Sequence, residues 1–401
     1  YMIISMKKVY CLLIIIFLLI ITYLIVPEDK PQTVKSPEEK RAIFISYIEL
    51  GKYLRGNTKE EMQKSIDNLI TESKNFGFNM ILLQVRSFSD AIYKSKIFPS
   101  SRSVVNNEGD PLPFDILKYF IKASHKENME LHAWINPYRI SNTNNVSLIS
   151  TKNPCYQLLN TKDVEITANG IYYNPASTKV EKLINDGINE IINNYAVDGI
   201  HFDDYFYPNS LTIDQNNYLE AKKKNPTLTL QEFRLNVITK LIKNTHDTIK
   251  KKSSTLLFGI SPDGNFDNNY NSNYVDTKLF CSKKGYIDYI MPQVYYGFLN
   301  STKPFEETVQ AWNDIITIDI PLIPALAFYK TGNIDPYAKD GLNEWQEHNN
   351  IIAREILTSR KLTKYQGFAI FRYDSIFNTS LSTTSSLEKE NLKNLLLTKK
   401  K

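Results

Sequence analysis

Cysteine is scarce in this 401-residue chain: Cys11, Cys155 and Cys281 are all there are. Three thiols allow at most one pair, which excludes a disulfide framework, and their spacing matches no metal-ligand set. A dominant charge is also lacking. The net charge is +5, and lysines gather only in runs of three at Lys222-Lys223-Lys224, Lys250-Lys251-Lys252 and Lys399-Lys400-Lys401. Such runs are ordinarily solvated faces. No nucleic-acid partner is expected, and any attraction to an anionic wall or membrane surface is weak. No internal repeat is visible beyond an alternation of strand and helix patterns.

What is present starts with aromatics, 25 Tyr and 20 Phe. Tyrosine combines a flat apolar face with a polar tip, which suits stacking on sugar rings as well as core packing. Near the start, Lys7-Lys8 precedes an apolar run over residues 9–26. That pattern reads as a membrane anchor or uncleaved signal (domain 1–26). The anchor is favoured because no small-residue cleavage site follows, and Cys11 lies too early to carry a lipid. With the lysines kept inside, the rest of the chain faces outward, which points to an extracytoplasmic bacterial protein. Residues 27–40, with Pro27, Pro31 and Pro37, read as a linker.

From residue 41 strand and helix patterns alternate. Strands are expected at 42–47, 79–85, 131–135, 197–202, 256–260, 289–294, 321–327 and 366–371. Helices are expected between them, two opening on capping boxes, Thr58 with Glu61 and Thr229 with Glu232. Eight short strands, each separated by a helical stretch, predict an α/β fold of the (β/α)8 TIM-barrel type over 41–374, not an open doubly wound sheet. The polar segment 141–174 reads as a lid or wall over the mouth. Residues 375–401 read as a C-terminal extension with a short helix near Leu387, capped by Ser385 and Glu388.

Barrel enzymes build their sites at the C-terminal strand ends, and the fourth strand is the richest there. It runs Val197-Asp198-Gly199-Ile200-His201-Phe202 into Asp203-Asp204-Tyr205. Strand alternation places His201, Asp203 and Tyr205 on one side and Ile200, Phe202 and Asp204 on the other. Aspartates after strands often only cap the next helix. Here, with further polar residues at neighbouring strand ends, they point to carboxylate chemistry on carbohydrate. A glycosidase needs one carboxylate at the anomeric centre and a second acid for the leaving oxygen. Asp203 is the first candidate, with Asp204 and Asp263 as candidates for the second. No glutamate stands at the fourth or seventh strand end, which argues against the common two-glutamate barrels. A substrate-assisted route through an N-acetyl group would want a glutamate where Tyr205 stands.

Candidate substrate contacts are Arg86 and Asp90 after strand two, and Trp134, Asn136 and Tyr138, with Arg139, around strand three. His201 and Tyr205 belong to strand four, and Gln293 and Tyr295 to strand six. Tyr329 and Tyr373 close the set. The plainer alternatives are an Arg86–Asp90 ion pair and a core Trp134. His132 and His201 invite a metal, but no third ligand appears at useful spacing. No metal and no cofactor are expected.

Several of these stretches carry a resemblance. Residues 78–93, 131–139, the Tyr173-Asn174-Pro175-Ala176 tetrad, 197–208, 259–264 and 287–296, in this order, resemble the bacterial glycosyl hydrolase-like 10 family over about residues 41–373. Ser87 departs from the family's proline after Gln84-Val85-Arg86. The resemblance implies a barrel glycoside hydrolase of the cell envelope, with a relative acting on peptidoglycan strands stripped of peptides, and leaves open which acid does what. The expected function is therefore hydrolysis of an envelope glycan, with polysaccharide and membrane as partners. The contrasting expectations are a non-catalytic glycan-binding barrel and a metal-dependent glycan deacetylase.

Overall fold

The computed structural model describes residues 38–204, 206–208 and 212–398. The expected anchor over 1–26, most of the linker and Tyr205 lie outside the described residues.

Eight parallel strands form the centre: β1 (Lys40–Ile45), β2 (Met80–Arg86), β3 (Glu130–Ile135), β4 (Gly199–Phe202), β5 (Leu257–Ile260), β6 (Tyr289–Ile290), β7 (Ala325–Leu326) and β8 (Gly367–Ile370). Strands β1 to β6 are neighbours in order, with β8 and then β7 on the other side of β1. Parallel bridges Ile290↔Leu322 and Gln293↔Ala325 join β6 to β7 and close the ring. The protein is a (β/α)8 barrel. β6 and β7 are shorter than their apolar patterns because Pro292, Pro321 and Pro324 have no N–H to give to a ladder.

The period of two sorts the strand residues into two layers. Ala42, Phe44, Met80, Leu82, Trp134, Tyr289, Ala325 and Ala369 fill the barrel. Ile43, Ile45, Ile81, Leu83, Leu131, Ile200, Phe202, Phe258 and Ile260 face outward into the larger core under the helices. That outer layer is α1 (Lys59–Phe76), α2 (Ile116–Lys126), α3 (Thr178–Asn194), α4 (Leu230–Lys252), α5 (Thr277–Ser282), α6 (Phe305–Ile315), α7 (Ile351–Ser359) and α8 (Thr383–Leu397). Both expected capping boxes form, at the starts of α1 and α4.

α8 differs from expectation. Its N-cap is Ser382, whose hydroxyl accepts from the Ser385 N–H. Glu388 is fully buried, and its carboxylate accepts the N–H groups of Ile351 at 2.8 Å and Ile352 at 2.9 Å. It thus caps the start of α7, where N–H groups have no partner within their own helix, and ties the last helix to the barrel.

Segment 139–173 folds into a small antiparallel sheet of Arg139–Ser141, Val164–Thr167 and Gly170–Tyr173 that stands over the mouth. Its hairpin needs glycine at 170: φ is +152°, and a Cβ there would come within 2.4 Å of the Ser141 carbonyl oxygen.

One buried group is unbalanced. Glu355 on α7 is fully buried, and neither carboxylate oxygen has a hydrogen-bond partner among the described residues. Burial, aided by the charges of Glu388 and Glu344 and opposed by Lys330 and Arg354, pushes its carboxyl well above the usual range. The folded state therefore holds a proton that the unfolded chain releases, and stability falls as pH rises past the ordinary glutamate value. Glu355→Met should be nearly neutral at pH ~4, where a free glutamate is about half protonated. The gain should grow by about 1.4 kcal/mol for each pH unit above that, the cost of keeping the proton on a buried carboxyl. Urea unfolding of the two proteins across this range checks it, and a gain that does not grow with pH would count against the assignment.

Candidate active site

The barrel interior is polar halfway up. His132 Nδ1 and His201 Nδ1 lie 3.0 and 2.9 Å from the Tyr289 hydroxyl, and His201 Nε2 lies 2.9 Å from Ser261 Oγ. Glycines make room for these rings: a Cβ at Gly259 would sit 2.1 Å from the Tyr289 ring, and one at Gly199 would sit 2.4 Å from His132. Burial, then the neighbouring His132, pushes the His201 imidazole well below its usual value. His201 is thus a fully buried, neutral support beneath the mouth. Among the described residues no His, Cys, Asp or Glu completes a three-ligand set with this pair.

Above this layer the carboxylates gather. Asp203, the first residue past β4, is 3% exposed. Its Oδ2 accepts the Trp134 indole N–H at 2.9 Å and the Asn136 amide at 3.4 Å. Two neutral donors aimed at one oxygen suit an anion. Asp203 and Asp204 both line a central cavity of about 300 Å³, with Phe44, Trp134, Gln293 and Tyr295 among its walls. Arg139 and Asp204 also line an adjoining cavity of about 430 Å³, where Asp263, Tyr172 and Tyr207 contribute. The expected separation of Asp203 from Asp204 does not hold. The ladder of β4 ends at Phe202, so the alternation that would turn Asp204 outward stops one residue too soon.

The three aspartates sit in different surroundings. Burial first, and the charge of Asp263 in addition, push the Asp204 carboxyl up, while a hydrogen bond from Gln293 opposes the rise. Gln293 is itself held by the Ser261 carbonyl at 3.0 Å, and Ser261 rests on His201. Asp263 spends its oxygens on its own loop. Oδ1 takes the Asn265 N–H at 2.7 Å and Oδ2 the Asn268 amide at 3.1 Å, with the Tyr296 hydroxyl 3.4 Å from Oδ1.

The remaining candidates divide by position. Trp134, Gln293 and Tyr295 line the central cavity, Trp134 with its N–H on Asp203. Asn136 is buried behind Asp203, and Tyr329 packs its ring against Tyr295 and Phe371 at the rim. Asp90 lines a third cavity. Arg86, Tyr138 and Tyr373 do not reach these cavities. A bulge between Gln84 and Arg86 turns Arg86 out of the barrel, where its guanidinium lies 4.5 Å over the Phe98 ring. Asn136 Oδ1 accepts the N–H groups of Tyr138 and Arg139, and this turn sends Tyr138 into the outer core. Tyr373 opens a helical turn, is 2% exposed, and gives its hydroxyl to Glu72 of α1. Sequence reasoning passed over Tyr47 and Phe371, which lie just past β1 and β8 and carry the same strand-end signal, and Glu108, which carried none.

This arrangement fixes how Asp204 titrates. Asp263→Asn removes a like charge and should lower the Asp204 pKa, whereas Gln293→Ala removes a donor to the anion and should raise it. Carboxyl carbon NMR of the two variants checks both signs. Shifts in one direction for both would contradict the geometry.

The family model for glycosyl hydrolase-like 10 matches residues 39–340. Glycosyl hydrolase YngK of Bacillus subtilis is 28% identical over 377 residues, covering 88% of this chain and 72% of that protein. Glycosyl hydrolase DigH of Escherichia coli is 27% identical over 341 residues, covering 78% and 76%. Of solved structures, the glycoside hydrolase domain of PgaB (BpsB) from Bordetella bronchiseptica aligns with TM-score 0.60 at 12% identity, over 91% of this chain and 100% of that one. The catalytic domain of β-amylase from Paenibacillus polymyxa aligns with TM-score 0.57 at 11% identity, over 89% and 98%. At such identities the structures speak for the fold alone. The family match runs through most of the chain, from the first barrel strand past the seventh, and the protein belongs to the glycosyl hydrolase-like 10 family.

Proposed function

We propose that this protein is a glycoside hydrolase acting on a bacterial envelope glycan, with peptide-free peptidoglycan strands as the first substrate to test. We further propose that it works outside the cytoplasm, held at the membrane by the apolar run over residues 9–26. The observation that carries the enzymatic reading is the pairing of Asp203 and Asp204 in one cavity with unlike surroundings. Carboxylates whose environments push their proton affinities apart are the usual basis for separate acid and base roles.

In this reading Asp204, biased toward its protonated form by burial and by Asp263, gives its proton to the glycosidic oxygen as the bond to the anomeric carbon breaks. The bonding electron pair leaves with that oxygen. Asp203, held by Trp134 and Asn136, faces the positive charge that develops on the carbon, and water completes the hydrolysis. Asp263 is the weaker candidate for the acid, because its oxygens are committed to its own loop. Family membership and the barrel fold support a glycosidase, and the aromatic walls of the cavity suit a sugar.

Two outcomes test this. Wild-type protein incubated with purified peptide-free strands should release oligosaccharides visible by mass spectrometry, and Asp203→Asn should release at least about 10³-fold less, given what removal of a principal charge-stabilising group costs. Release by neither protein would refute the hydrolase on this glycan. The pH profile should also lose activity on the alkaline side as Asp204 gives up its proton. Asp263→Asn should move that limb to lower pH, and a limb that stays in place would remove Asp204 from the acid role.

A further inference from the structure

We propose that the cavity of about 210 Å³ beside the central one is a distal sugar-binding site that takes one further residue of the glycan chain lying across Asp203 and Asp204. This rests on the glycan reading above and deepens it by assigning a second place of contact. At about 210 Å³ the cavity is on the scale of a single sugar ring.

Three observations carry the inference. First, the cavity adjoins the central one. Tyr47 lines both, and Tyr47, Phe88 and Arg139 stand between them. The two rings meet edge to face at 5.2 Å, and the Arg139 guanidinium lies 4.7 Å over Phe88 and 5.7 Å over Tyr47. A chain leaving the central cavity on this side would pass these two rings, whose apolar surface suits the C–H face of a pyranose.

Second, the lining brings together donors and acceptors, the carboxylates of Asp90 and Glu108 with Arg102, Arg55 and Asn142. Vicinal hydroxyls pair with such a set, giving to a carboxylate and accepting from a guanidinium.

Third, Glu108 is braced but incompletely used. Its Oε1 accepts the Asn153 amide at 2.7 Å and the Ser150 N–H at 3.3 Å, while no described residue donates to Oε2. Burial pushes the Glu108 carboxyl up to about 7, with Asp90 adding to the rise and Arg102 opposing it. Burial likewise pushes Asp90 up to about 6. Near neutral pH such groups exchange roles as donor and acceptor, which suits hydroxyls better than a fixed anion does. Catalysis as described above uses none of these side chains.

The test uses the full chain carrying Asp203→Asn, so that ligands survive, and a ladder of oligosaccharides from peptide-free peptidoglycan strands, from the disaccharide upward. Binding is followed by calorimetry. In this background affinity should rise with chain length, with a step where the chain first reaches the distal cavity. Adding Arg102→Ala should lower the ratio of long-chain to short-chain affinity by about ten-fold or more, the worth of a hydrogen bond to a charged group. Glu108→Gln, which keeps the side chain's shape and its bond from Ser150, should lower the same ratio in the same direction. A loss equal at every length, or no loss at any, overturns the distal site while leaving the glycan reading intact. Failure of every oligosaccharide to bind overturns both.

Discussion

The hydrogen bond from the Trp134 indole to Asp203 is the contact on which the site turns. It joins the end of β3 to the end of the neighbouring β4 at the barrel mouth, in a place 3–5% exposed where an unpaired carboxylate would be costly. Much else follows from keeping that carboxylate there. Asn136 supplies a second donor while its own oxygen turns the chain toward Arg139. Phe44 packs edge-on against Trp134 at 5.2 Å and fixes the indole plane. Beneath, the Tyr289 hydroxyl joins His132 and His201 in a barrel interior that is otherwise largely apolar.

The same layering explains why two adjacent aspartates differ. Asp203 is held by neutral donors. Asp204 stands just past the ladder, lining two cavities, with the charge of Asp263 adding to its burial and with Gln293, its own backbone N–H and the charge of Arg139 opposing. Gln293 reaches back through Ser261 to His201, so the buried polar layer also positions Asp204. Burial, hydrogen bonds from below and charge from the side thus set the proton affinity of Asp204.

Much of this was legible in the sequence. Short, nearly continuous apolar runs located all eight strands, because a closed barrel under a layer of helices buries both faces of each strand. Two capping boxes formed as expected. The misreadings have local causes. Prolines shortened β6 and β7, a bulge reversed Arg86, and an Asn136 turn diverted Tyr138. The end of β4 one residue before Asp203 brought Asp204 to the same cavity. Glu388 caps a helix remote in sequence, which no local pattern could announce. Alternation is reliable only while the ladder lasts, and the residues proposed for the chemistry sit where it stops. Glu108 lay beyond reach for a different reason: its position depends on how the loop after β2 folds against Ser150 and Asn153, in the segment between the first two strands of the small sheet.

The central claim, that Asp204 supplies the proton while Asp203 stabilises the charge, is tested most directly by leaving-group dependence. Single-turnover rates of wild type, Asp203→Asn and Asp204→Asn would be compared on glycosides of one sugar whose phenol leaving groups span a range of acidity. The account predicts that Asp204→Asn approaches the wild-type rate as the phenol becomes more acidic and needs no proton, while Asp203→Asn stays slow throughout. Recovery of Asp203→Asn instead, or of neither variant, would contradict it.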